Sequence, residues 1–248
     1  MQQVNENLIF EQGTDPDVLL ILFTGFANRM MMNPFEFVQA SGLYNYSRIF
    51  VRDPTQRLCL CGVGGEIDTF QKLVDTLRNM ALQLKARRII TIGSSGGSHP
   101  AMMVAHLLKA DYCHAFAPFT YLTITRAIQQ RNWGALFKFR RTLFRLNFFP
   151  TGTRRYYDLR SALAEWNGHT RYYVHVCQQQ KRDWKMSNYI RETPGVTILP
   201  YPCNQHTVIK YIVKMKLLDK LFDFGQQEKV VDLIAGEVGL RMNISKQK

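Results

Sequence analysis

The sequence has no apolar run of the roughly 18 residues that a membrane-crossing helix needs. Its first residues, Met1-Gln2-Gln3-Val4-Asn5-Glu6-Asn7, lack the basic start and apolar core of a signal peptide. Glycine (16) and proline (9) are too few for a collagen-like or low-complexity chain. The five cysteines, Cys59, Cys61, Cys113, Cys177 and Cys203, are odd in number and no pair has a CxxC spacing. A zinc site would need more ligands at recognisable spacing, so neither a metal nor another cofactor is expected. The cysteines read as reduced thiols in a reducing compartment, packed mostly as small hydrophobes. Cys59 and Cys61 alternate along an expected strand and would share one face. These absences together point to a cytoplasmic protein that is not exported.

Acidic residues are also scarce: 19 against 32 lysines and arginines, a formal net charge of +13. The excess is concentrated. Between Thr120 and Arg160 stand Arg126, Arg131, Lys138, Arg140, Arg141, Arg145, Arg154, Arg155 and Arg160, with Asp158 as the lone acid. Such a field attracts anions, whether nucleic acid, an acidic membrane surface, a phosphate-bearing substrate or an acidic protein. The plain alternative is a solvated basic face with no dedicated partner.

What is present is an ordinary globular composition, 46% hydrophobic and 21% charged over 248 residues, enough to bury a core without disulfides. Asp17-Val18-Leu19-Leu20-Ile21-Leu22-Phe23 is nearly continuous in apolar character, as in a strand buried on both faces. Further strands are expected at 47–52, 88–93, 112–117, 171–176 and 196–199, while 58–61 is ambiguous. Apolar residues recur every three or four positions from Ile67 to Leu84, marking an amphipathic helix. Helices are also expected at 101–108, Thr207 to Leu218 and Gln226 to Gly239. Strands alternating with helices predict a mostly parallel sheet covered by helices on both faces. The basic stretch 121–157, with Trp133, Leu136, Phe137, Phe139, Leu143, Phe144, Leu146, Phe148 and Phe149 among its arginines, interrupts that alternation. It reads as a helical cap inserted into a single domain spanning 1–248.

Gly93-Ser94-Ser95-Gly96-Gly97 matches G-x-S-x-G between a strand and a helix. In that turn the residues two before and two after the serine must be small, and the serine oxygen points out of the sheet. Ser95 has glycine at both positions, leaving Ser94 and Ser98 as turn and cap residues. The backbone N–H of Gly96 can then donate to an oxyanion. A Gly-rich turn can instead cradle phosphate, but this one lacks both G-x-G-x-x-G and a P-loop lysine.

The turn needs an acid and a histidine further along, in that order. Asp183 follows the strand ending at Val176, and His206 follows the last strand; both lie past carboxyl ends, where open α/β sheets gather ligands. Asp158 and Glu192 are rival acids. Asp158 precedes its strand, which favours Asp183. His99, His106, His114, His169 and His175 read as packing or surface residues. A second oxyanion donor is expected from the loop Phe23-Thr24-Gly25-Phe26-Ala27-Asn28, with the Phe26 N–H as candidate; alternatively, Gly25 merely ends a strand.

With these residues the chain resembles serine hydrolases of the α/β-hydrolase fold from about Val18 to Leu218, the basic insertion standing where that fold carries its cap. The stretches His114-Ala115-Phe116-Ala117-Pro118-Phe119-Thr120 and Asn204-Gln205-His206-Thr207-Val208 are also similar to those of small bacterial hydrolases found with surface-polysaccharide genes. The lipase oxyanion motif is replaced by Thr24-Gly25-Phe26, which leaves the substrate class open. The resemblance implies a Ser95–His206–Asp183 triad, an acyl-enzyme, and oxyanion donors at Gly96 and Phe26. It implies an esterase, thioesterase or acyltransferase. Arg140, Arg141 and Arg145 would then bind a substrate carried on coenzyme A, an acidic carrier protein or an anionic glycan. Nucleic acid is not an expected partner. The C-terminal helix, with Val230, Val231, Leu233, Ile234, Val238 and Leu240, offers either a homodimer surface or simple packing.

Two other classes compete. One is a non-catalytic module of the same fold that uses its basic cap for an anionic partner, which predicts steep salt dependence. The other is a nucleotide-binding protein with Gly93–Gly97 as a phosphate turn. Neither needs the ordered serine, acid and histidine.

Overall fold

Residues 2–148, 154–222, 224, 229 and 234 of the computed structural model are described here. The expected alternation is present. Eight strands, β1 (Gln2–Asn5), β2 (Leu8–Glu11), β3 (Asp15–Phe23), β4 (Tyr46–Val51), β5 (Arg88–Ser94), β6 (Tyr112–Phe116), β7 (Arg171–Cys177) and β8 (Val196–Tyr201), form one sheet in the order β1-β2-β4-β3-β5-β6-β7-β8. From β4 to β8 every pairing is parallel; β1 and β2 extend one edge antiparallel. The helices are α1 (Pro34–Ala40), α2 (Phe70–Gln83), α3 (Ser98–Leu108), α4 (Ile124–Gln129), α5 (Trp133–Lys138), α6 (Arg140–Phe148), α7 (Leu159–Ala162), α8 (Lys181–Tyr189) and α9 (Val208–Lys214).

The continuous apolar run of β3 has its physical counterpart in two cores. Leu19, Ile21 and Phe23 belong to the cluster that includes α2 and α3 residues, whereas Val18, Leu20 and Leu22 belong to the opposite cluster with α1 and α9. Each fully buried side chain of this kind contributes roughly 1.5–3 kcal/mol against exposure. On α2, Phe70, Leu73, Val74, Leu77 and Ala81 are the buried stripe, and Thr69 caps its start by accepting from the Lys72 N–H.

The strand order sets where a site can form. From β3 the chain first builds outward to β4 and then returns to place β5 on the other side of β3. The loops leaving the carboxyl ends of β3 and β5 therefore diverge and open a crevice between them. Ser95 begins the loop after β5, and Thr24–Asn28 is the loop after β3.

Several expectations change. Residues 58–61 form no regular strand: Leu58 and Cys59 have φ of 61° and 58°, and a single bridge joins Leu60 to Gly62. Cys59 is buried and Cys61 only partly so, hence they share no strand face. Asp53 holds this loop, its carboxylate accepting from the N–H groups of Thr55 and Cys59. β8 runs through Pro200, which the sheet tolerates because β8 is an edge strand.

The reading of five reduced thiols is also corrected. Cys177 ends β7 and Cys203 follows β8; adjacent parallel strands bring their Cα atoms to 4.9 Å and they form a disulfide. The pairing removes the cysteine argument for a cytoplasmic location. Cys59, Cys61 and Cys113 remain free. Burial raises the Cys59 thiol well above its ordinary value and Cys113 to about 12, so both stay protonated and inert. The basic stretch between β6 and β7 is helical, as α4 to α7. Phe149 and nearly all of the expected 226–239 helix lie outside the described residues. Among the described residues, no helix is long and apolar enough to cross a membrane.

Candidate active site

Ser95 leaves β5 with φ of 52°, in the left-handed region that a non-glycine residue rarely adopts. Its neighbours explain how the turn closes. A Cβ on Gly93 would lie 2.5 Å from the Gly97 carbonyl oxygen, and a Cβ on Gly97 would collide with the carbonyls of Phe23 and Thr24. Only glycine fits at either place, which is the requirement the motif expresses. Ser98 Oγ donates to the carbonyls of Gly93 and Phe116, locking the base of the turn. Pro100 falls in the first turn of α3, where a missing N–H is tolerated.

Ser95 Oγ lies 2.8 Å from His206 Nε2, and His206 Nδ1 lies 2.7 Å from Asp183 Oδ2. Asp183 stands on the first turn of α8, just past β7, and is 3% exposed. His206 sits between β8 and α9. The three expected residues are thus brought into one hydrogen-bonded line. The rival acids are elsewhere. Asp158 caps α7 and pairs with Arg126 Nε at 3.0 Å, while Glu192 makes a surface pair with Arg160.

The loop after β3 reaches the same place. A Cβ on Gly25 would lie 3.5 Å from Ser95 Cβ, and the Phe26 ring packs directly on Gly96. The Arg29 carbonyl fixes the loop, accepting from the Gly25 N–H at 2.9 Å and from Ser94 Oγ at 3.0 Å. Ser94 therefore ties this loop to the end of β5. Among the described residues the Phe26 N–H has no hydrogen-bond partner. Phe26, Phe119 and Phe139 form an aromatic cluster here, with the Phe119 and Phe139 centroids 4.1 Å apart.

Arg182 was not anticipated from sequence. Its Nε donates to Asp183 Oδ1 at 2.8 Å, its Nη2 lies 3.0 Å from His206 Nδ1, and its guanidinium stacks over Phe139. The two contacts at Nδ1 exclude each other. Asp183 accepts only if Nδ1 carries a proton, and Arg182 donates only if it does not. Adjacency to Asp183 was the only signal in the sequence. Arg140, Arg141 and Arg145 are all exposed on α6, with no hydrogen bond to the serine, histidine or acid among the described residues.

The other histidines are structural in their contacts. His99 is buried, with Nδ1 and Nε2 at 2.8 and 2.7 Å from the carbonyls of Phe119 and Tyr156, and burial lowers its pKa. His114 and His175 contact each other at 3.1 Å inside the sheet's second core. Burial holds His114 down to about 3 and His175 well below its ordinary value. Among the described residues, no group of three or more His, Cys, Asp or Glu side chains gathers to hold a metal.

No family model and no curated protein matches the sequence. Solved structures match in shape. Proline iminopeptidase from Mycobacterium smegmatis superposes with a TM-score of 0.53 at 10% identity, over 93% of this chain and 94% of that one. A lipase-esterase related protein from Clostridium acetobutylicum gives 0.55 at 12% identity, over 88% and 99%. The chain has the α/β-hydrolase fold. An alpha-beta serine hydrolase homologue from Coxiella burnetii matches with 0.50 at 12% identity, over 87% and 90%. Identities this low carry the architecture alone. Within the α/β-hydrolase fold, the Ser95 turn follows the central β5, and Asp183 and His206 follow β7 and β8.

Proposed function

We propose that this chain is a serine hydrolase or acyltransferase acting on an ester or thioester, with Ser95 as nucleophile, His206 as general base and Asp183 as the group that orients it. The observation that carries this reading is the unbroken contact line Ser95 Oγ–His206 Nε2–Asp183 Oδ2, at 2.8 and 2.7 Å. His206 takes the Ser95 proton as Oγ attacks the carbonyl carbon. The resulting oxyanion is held by the N–H groups of Gly96 and Phe26, and collapse expels the alcohol or thiol, which receives the proton from His206. Water, or a second alcohol or amine, then resolves the acyl-enzyme by the same steps in reverse order. The left-handed backbone at Ser95, the approach of Gly25 and the unpartnered Phe26 N–H support this assignment. Removing one oxyanion donor costs on the order of 3 kcal/mol of transition-state stabilisation.

Specificity is assigned to the helical segment between β6 and β7, acting as a cap. Phe139 from this segment stacks on Arg182, and Asn132 Nδ2 donates to the Arg182 carbonyl, so the cap is joined to the acid's own helix. The exposed Arg140, Arg141 and Arg145 suit a carrier with phosphate or carboxylate groups, such as coenzyme A, an acidic carrier protein or an anionic glycan. The test is turnover of p-nitrophenyl esters and acyl thioesters by wild type, Ser95→Ala and Asp183→Asn. Each substitution is expected to lower kcat by about 10⁴-fold or more, the order seen when a triad member is lost. Turnover that survives Ser95→Ala would refute the assignment.

A further inference from the structure

A cavity of about 410 Å³ lies on the other side of the Thr24–Arg29 loop, within the size range of small-molecule sites. The serine, histidine and acid do not line it. Its floor is the face of the sheet edge where Ile9 and Phe50 are cross-strand partners, with Glu11 at the end of β2 and Arg52 one residue past the end of β4. Its walls are the loop after β3 and the start of α1, including Phe35. Two arginines, Arg29 and Arg52, line this space, and neither side chain makes a hydrogen bond or ion pair among the described residues. Among the described residues the Arg52 Nε is fully buried and without a partner. A buried donor left unsatisfied costs about 1–3 kcal/mol, more when charged, so its retention calls for an occupant. The lining acid, Glu11, does not fill that role, since its carboxylate is held by Arg48 Nε at 2.6 Å.

We propose that this cavity binds a small amphiphilic anion: a compact oxyanion head, carboxylate or phosphate, received by Arg29 and Arg52, on an apolar body lying against Ile9, Phe35 and Phe50. A guanidinium presents paired donors that match either head group, and the aromatic walls reward an apolar tail. The bound anion also reaches the reaction. Arg29 is the residue whose carbonyl fixes the Gly25–Phe26 loop, so an occupant held by its side chain braces that loop from behind. The binding claim is independent of the proposed hydrolase chemistry; only the bracing effect rests on it.

The test is calorimetric titration of the Ser95→Ala protein with octanoate and with octyl phosphate, using octanol and inorganic phosphate as controls. Saturable one-to-one binding of either amphiphile is expected, weakened about tenfold or more by Arg29→Gln and by Arg52→Gln. The tighter amphiphile identifies the head group. Both controls are expected to bind at least about tenfold more weakly. Arg29 is exposed, so its substitution keeps the test available if Arg52→Gln fails to fold. Affinity unchanged in Arg29→Gln and in the folded Arg52→Lys variant would overturn the proposal. So would octanol binding as tightly as octanoate, or no binding of either amphiphile. In the wild type, saturating amphiphile is expected to raise the rate of fluorophosphonate labelling at Ser95. Failure of that effect with binding intact would remove the bracing role alone.

Discussion

The Cys177–Cys203 disulfide ties together the ends of the two strands that deliver the acid and the histidine. Asp183 lies six residues past Cys177, and His206 lies three residues past Cys203. The bond closes a loop with a sequence separation of 26. A loop of that size restricts the unfolded chain by an entropy worth about 3.5 kcal/mol at 25 °C. For a chain of this length that corresponds to a melting temperature lower by about 7–14 °C when the bond is absent. The perturbation is the Cys177→Ser, Cys203→Ser double variant, compared with wild type before and after reduction by dithiothreitol. Urea denaturation followed by circular dichroism reads the stability. Fluorophosphonate labelling reads whether the two loops still meet. The oxidised wild type is expected to be the most stable of the three, with the reduced protein matching the double variant. Labelling is expected to slow in both disulfide-free forms. Equal midpoints for all three, or peptide mapping that finds both thiols free in the oxidised protein, would show that the Cys177–Cys203 bond does not hold the two strand ends together.

Other expectations follow from packing and charge. Gly97→Ala is expected to cost about 2–3 kcal/mol or to prevent folding, because the new methyl falls on the carbonyls of Phe23 and Thr24; Gly134→Ala, which meets nothing closer than 3.7 Å, is expected to be neutral or stabilising, as thermal melts would show. The buried His114 stays neutral to about pH 3 while its unfolded counterpart takes a proton below about pH 6.5, so its stabilisation is complete above that value and declines as pH falls. At pH 5 this amounts to about 2 kcal/mol, with His99 and His175 acting in the same direction; urea midpoints that stay level between pH 7 and pH 5 would contradict it. Arg182→Gln removes the guanidinium that donates to Asp183 Oδ1 at 2.8 Å and so helps to hold the acid in place. kcat/KM is expected to fall about tenfold with the fold intact by circular dichroism, and an unchanged kcat/KM would show that the contact does not position the acid.

The parallel core was legible because a strand buried on both faces must be apolar at successive positions, as Val18 to Phe23 are. The serine turn was legible because steric demand leaves glycine alone at Gly93 and Gly97, a constraint written directly into residue identity. Asp183 and His206 could be ranked since each follows a recognisable strand. The antiparallel pair β1 and β2 was missed because each has four residues, and Glu6-Asn7 between them is not a strong hairpin turn. The disulfide was missed for a different reason. Cys177 and Cys203 meet only because β7 and β8 are neighbours in the sheet, a fact of topology that spacing along the chain does not carry. Arg182 illustrates the same limit at the scale of one side chain. Its position beside Asp183 was plain, but its reach back to His206 and across to Phe139 depends on the packing of the helical segment. For Arg140, Arg141 and Arg145, composition marked the charge but not the direction, and all three face solvent.

The central claim is that Ser95 is an activated nucleophile, and the most direct measurement is labelling of the purified protein with a fluorophosphonate probe followed by peptide mapping. A single adduct on Ser95 is expected, absent in Ser95→Ala and lost or strongly slowed in His206→Ala. A folded wild-type protein that fails to label, or that labels at another residue, would contradict it.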